Sequence, residues 1–200
     1  MENEFIVSSF RKDANKNSSK ILKAAIQVFS EQGNDGSIDE IAKLAGVGVG
    51  TVYRRFISKE QLAKAVATII IHEVYEEQEI IKVADISADE KIRKLFGCYA
   101  NISIKYGKIH QMIVDILVAE DGQDEFSSMF LKSLSNIFTD IIKLGQKQGI
   151  FREGDLRIYH IFLENIVTPK VVNDLSKIMP LTHTADLLTD LALNGILIRK

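Results

Sequence analysis

Three helix-start signatures, each followed by apolar residues at helical spacing, constrain this chain more than any other feature. Ser37-Ile38-Asp39-Glu40, Ser58-Lys59-Glu60-Gln61 and Ser87-Ala88-Asp89-Glu90 each place a hydroxyl where a helix begins and an acid or amide three residues on. Each such pair can satisfy backbone N–H groups that a helix start leaves unpaired. Behind them come Ile41, Ala42 and Leu44, then Leu62, Ala65, Val66, Ile69 and Ile70, then Ile92, Leu95, Phe96, Tyr99 and Ile102, all with a period near 3.6. The same period runs through Ile21–Phe29, Ile109–Leu117 and Phe126–Leu144, and Gly33, Gly46, Gly107, Gly122 and Gly149 stand where these runs stop. Residues 155–178 read as one further helical segment and 184–198 as another. Only two prolines occur in 200 residues, and no alternating runs bounded by turn pairs appear, which excludes an all-β fold. The expectation is an all-α protein of about nine helices, without internal repeats.

With 46% apolar and 26% charged residues the chain can bury a sizeable core. Its longest stretches without a charge, 44–53 and 95–104, are too short to span a bilayer. The start, Met1-Glu2-Asn3-Glu4, lacks the pattern of a secretory signal. One cysteine, Cys98, leaves no partner for an intrachain disulfide. A cytoplasmic protein is expected, with no membrane segment. The net charge of −2 is unevenly placed, because residues 11–60 hold nine Lys/Arg against six Asp/Glu. A polyanionic partner, if there is one, belongs at that end.

The stretch 37–56 is the most informative. A short helix, a turn at Gly46 and a second short helix form a helix-turn-helix pattern. Small Ala42 and Ala45 allow close crossing, and Gly46 suits a turn that needs positive φ. The second helix would present Val49, Gly50, Thr51, Tyr53, Arg54 and Arg55. These offer hydroxyls and charges for phosphates, a guanidinium for guanine edges and methyls for thymine. Lys59, opening the next helix, is a further phosphate candidate.

These residues carry a resemblance. Ile21-Leu22-x-Ala24-Ala25-x-x-Val28-Phe29, Gly33, Ile41-Ala42-x-x-Ala45-Gly46-Val47 and Gly50-Thr51-Val52-Tyr53-Arg54-Arg55-Phe56-x-Ser58-Lys59-Glu60-x-Leu62 resemble the DNA-binding domain of the tetracycline-repressor (TetR) family over about 18–66. The resemblance implies a flexible arm at 1–17, a three-helix reader at 18–64, and a ligand-binding and dimerisation domain at 65–200. It implies a homodimeric DNA-binding regulator, most simply a repressor that a small molecule releases from a palindromic operator. By position, Thr51, Tyr53 and Lys59 match phosphate-contacting residues, while Val49, Gly50 and Arg54 match base-facing ones. Ser37, Gly48 and Arg55 complete the DNA-binding set. Gly48 stands where the family often has Ser or Thr, which removes a side-chain cap or phosphate contact.

On the same analogy, Tyr99, Tyr106, His110, Met112, Phe126, Met129 and Phe130 line a pocket for a largely apolar effector of unknown identity. The last helix is apolar on more than one face and needs covering on two sides. Tyr159, Phe162, Leu163, Ile166, Leu187, Leu188, Leu191, Gly195 and Ile198 are therefore the expected dimer interface. Pro169 is expected to kink or end the helix that contains it. No His/Cys pair has zinc spacing and no nucleophile motif occurs, so no metal, cofactor or enzymatic activity is expected. The alternative reading is a helical small-molecule-binding protein or adaptor whose helix-turn-helix is a cap that does not bind DNA.

Overall fold

The computed structural model describes the backbone of residues 16–109, 111–113, 115 and 125–196, and their side chains except at 16, 125–135, 169, 173, 181 and 182. Among the described residues the fold is all-α, with no strand. It divides into two compact units, Met1–Ile69 and Ile70–Lys200.

In the first unit, α1 (Lys16–Gln32) buries Ile21, Ala24, Ala25, Val28 and Phe29 along one stripe. A single 3₁₀ turn, Gly33–Asp35, follows. Gly36 must then pass close to α1, since a Cβ there would lie 2.7 Å from Val28. Next, α2 (Ile38–Ala45) starts on the expected capping box: Ser37 Oγ accepts from the Glu40 N–H at 3.2 Å, and Ser37 N–H donates back to Glu40 Oε2 at 3.2 Å. Those bonds hold the Glu40 carboxyl below its usual range. Gly46 ends α2 in the left-handed region, φ 66° and ψ 38°, where any other residue carries a Cβ penalty. Across that turn stands α3 (Val49–Phe56), anchored by buried Val52 and Phe56.

In the second unit, the later turns of α4 (Lys59–Val83) bury Ile70, Ile71, Val74 and Ile81. The next helix, α5 (Ala88–Tyr106), buries Ile92, Leu95, Phe96 and Ala100. It packs against α6 (Glu125–Lys147), α8 (Pro169–Ser176) and α9 (Leu181–Ile196), while α7 (Leu156–Ile166) packs against α6 and α9. Phe96 and Phe138 meet edge-on at 6.4 Å; burial of each ring contributes about 1.5–3 kcal/mol. Gly145 is required by a close approach, because a Cβ there would enter the Phe151 ring.

The segment read as one helix over 155–178 is two. Thr168 accepts from the Val171 N–H and Pro169 occupies the first turn of α8, a position where its missing N–H costs nothing. The first of the two ends at Ile166, as one arm of the expectation had it, and Pro169 also starts the second.

Candidate nucleic-acid interface

Gly48 caps α3 with no side-chain bond, and a Cβ at Gly48 or Gly50 would meet nothing within 4 Å. The first turn of α3 is thus bare backbone in open space, into which another molecule's backbone or base edge can approach closely. Tyr53 is 48% exposed despite its size; Arg54 and Arg55 are exposed, while Val49 and Thr51 are half-buried. Buried Val52 and Phe56 fix the opposite face, so side-chain chemistry on α3 is sorted between core and solvent.

Two of the basic residues are held by their own unit. Arg55 Nε donates to Ser18 Oγ on α1, and Lys59 Nζ donates to the Asn34 carbonyl. The structure thus brings Ser37, Gly48, Val49, Gly50, Thr51, Tyr53, Arg54, Arg55 and Lys59 together in the first unit, with Ser37 and Glu40 engaged in the α2 cap.

The end of α3 is strained. Ile57 is 81% exposed with φ 59° and ψ −50°, a conformation that a β-branched residue rarely adopts. Ile57→Gly should relieve it and raise stability by about 1 kcal/mol, about 2–4 °C in Tm. A thermal melt that moves downward would show the turn to be unstrained.

In the second unit the expected pocket residues separate. Tyr106 is buried and its hydroxyl donates to Glu73 Oε2, while Lys105 Nζ pairs with the other carboxylate oxygen, Glu73 Oε1, at 2.6 Å. Burial pushes the Glu73 carboxyl up, but the Lys105 and Tyr106 hydrogen bonds outweigh it and hold the group below its usual range. Met112 is buried, and Tyr99 is partly buried against the core. His110 lies outside the described residues, as do the side chains of Phe126, Met129 and Phe130. Gln78 and Glu73 were missed from sequence; Gln78, polar in the stripe Ile71, Val74, Ile81, was the available signal.

The expected dimer residues also separate. Leu163 and Leu188 are 0% and 3% exposed and belong to the unit's own core, which leaves them no surface for a partner. Tyr159, Ile166 and Leu187 are half-buried, Phe162, Leu191 and Gly195 are exposed, and Ile198 lies outside the described residues. Ile158 and Ile161, not expected from sequence, are exposed beside Phe162 on α7. Among the described residues no group of three metal-ligating side chains occurs, and no helix is long and apolar enough to cross a membrane.

Comparison with known proteins matches residues 21–66 to the family of bacterial regulatory proteins called tetR. The HTH-type transcriptional repressor NicS of Pseudomonas putida is 29% identical over 158 residues, covering 75% of this chain and 72% of that one. Residues 21–66 are a TetR-type DNA-binding domain. The family fold extends over both units: the ketosteroid transcriptional regulator KstR2 of Mycobacterium tuberculosis superposes with a TM-score of 0.75 at 17% identity, covering 93% of this chain and 97% of that one. FadR from Bacillus subtilis, in complex with stearoyl-CoA, gives 0.65 at 22% identity over 89% of this chain and 98% of that one. A chain carrying this domain is a DNA-binding transcriptional regulator.

Proposed function

We propose that this regulator is a homodimeric repressor that binds a pseudo-palindromic operator and is released when an apolar small molecule occupies its second unit. The observation that carries the DNA reading is α3 itself: an open glycine-capped first turn followed by exposed Tyr53, Arg54 and Arg55. Val49, Gly50 and Arg54 face base edges. Thr51, Tyr53 and Lys59 contact phosphates, Ser37 and Gly48 complete the DNA-binding set, and Arg55, through Ser18, fixes α3 against α1. Two such helices enter major grooves about one turn of DNA, or a multiple of it, apart.

The effector reading is supported by the apolar and aromatic interior of the second unit and by the stearoyl-CoA complex of a fold relative. An effector acts only through its differential affinity for the DNA-binding and released states. The dimer reading is supported by the exposed apolar face of Ile158, Ile161 and Phe162 on α7 with Leu191 on α9. Ile161→Asp, exposed and outside the core, should yield a folded monomer with much weaker operator binding. Sedimentation that still shows a dimer would place the interface elsewhere.

The test is selection of DNA fragments by the purified chain from a pool of genomic sequence. The expected product is an inverted repeat bound by two protomers. Recovery of fragments sharing no motif would overturn the operator reading.

A further inference from the structure

The corner between α3 and α4 has no slack. Phe56, the last residue of α3, is buried, and Ser58 already caps α4, its Oγ accepting from the Gln61 N–H at 3.2 Å. Ile57 alone turns the chain between them. Its N–H closes α3 on the Tyr53 carbonyl at 2.8 Å, and the Ser58 N–H reaches back to the Phe56 carbonyl at 2.5 Å. With φ 59° and ψ −50° at the residue between, this is a γ-turn of the rare, strained hand.

Both arms of the corner are tied to α1 and the turn that follows it. Two residues before Ile57, Arg55 donates to Ser18 in the first turn of α1. Two residues after it, Lys59 donates to the Asn34 carbonyl in the 3₁₀ turn that follows α1. Relaxing the corner by moving either helix therefore breaks a tie. Strained backbone persists only where its surroundings over-determine it in this way.

The residue that bears the strain brings no packing in return. The Ile57 side chain is 81% exposed, and glycine would make the same turn without the Cβ penalty. What the Cβ supplies is restriction, because it forbids much of the φ/ψ space that glycine would open at this joint. Freedom there is freedom in the direction of α3, which carries Tyr53 and Arg54 exposed. Read-out of base edges tolerates errors of only about 0.5 Å in such a constellation.

We propose that Ile57 is a positioning residue: its strained, restricted turn fixes the direction in which α3 is presented to DNA, and stability is given up there for operator affinity. This rests on the DNA reading of α3 above and names the joint that aims the helix.

The experiment compares Ile57→Gly and Ile57→Ala in the full chain, by thermal melt and by fluorescence anisotropy on the selected operator and on a scrambled duplex. Ile57→Gly should melt higher than wild type yet bind the operator roughly three- to tenfold more weakly, the effect of having to order a freed residue. No charge is lost, so the salt slope and binding to the scrambled duplex should stay unchanged. Ile57→Ala, which keeps a Cβ, should bind the operator like wild type. A merely structural role would move the melt and the operator affinity in the same direction, and that result overturns the proposal. So does an Ile57→Gly affinity equal to wild type, or a glycine loss shared equally by the scrambled duplex. An alanine loss as large as the glycine loss also overturns it, since the side chain would then be the DNA contact. In each of these cases wild type still prefers its operator, and the DNA reading stands. A folded wild type that binds operator and scrambled duplex alike overturns both.

Discussion

Replacing Lys91 with methionine should lower the stability of the chain by about 2–4 kcal/mol, about 5–15 °C in Tm. Lys91 is 4% exposed, and its Nζ donates to the carbonyls of Ile81, Lys82 and Ala84 at 2.8, 2.9 and 2.6 Å. These belong to the end of α4 and the turn beyond it, where a helix leaves its last carbonyls without intrahelical partners. One ammonium with three donors satisfies three acceptors and complements the negative end of the α4 dipole. Methionine fills the stem's volume but donates nothing, so the carbonyls keep their desolvation and lose their bonds. The contrast is Arg93→Ala. Its pair with Asp190, 3.1 Å apart, is half-exposed on both sides, and loss of it should cost under about 1 kcal/mol. Thermal unfolding of both variants decides the matter; equal small shifts would mean that water replaces Lys91 without penalty.

The second large effect is expected on DNA. Arg54→Ala should weaken operator binding by roughly 10–100-fold and relax the base preference at one position of each half-site, because a guanidinium read-out is worth about 1–3 kcal/mol. Tyr53→Phe should weaken binding to all sequences alike, since a hydroxyl on phosphate carries no sequence information. Lys59→Ala should do the same and also flatten the salt dependence, because it removes a counterion-releasing charge. Lys59 already donates to the Asn34 carbonyl, so its alanine variant needs a melt to separate a loosened turn from a lost phosphate contact. A uniform loss for Arg54→Ala would remove it from the base-facing set.

What was legible in the sequence was local. Ser37 with Glu40 and Gly46 at positive φ are rules of a single turn, and they fix α2, the hinge and the start of α3 before any packing is known. The stripe of α1 was equally readable, because its period needs only one buried face. Pro169 was legible as a place where a helix could stop; that it also starts the next one shows only when Thr168 is recognised as a cap. Leu163 and Leu188 were assigned to a partner because an all-round apolar helix shows that two faces are covered, not which face meets which neighbour. Their burial resolves it. Lys91, Glu73 and the Gln78–Tyr99 pair join residues from different helices, and their roles arise only when the helices meet.

The central claim, sequence-specific DNA binding through α3, is tested most directly by fluorescence anisotropy. Wild type and Arg54→Ala are titrated onto the selected operator and onto a scrambled duplex of the same composition, at several salt concentrations. Tight, saturable binding of two protomers to the operator alone, lost on scrambling and reduced toward the scrambled level by Arg54→Ala, is the predicted result. Equal and steeply salt-dependent binding to both duplexes, unchanged by Arg54→Ala, would contradict it and reduce the interface to a basic surface.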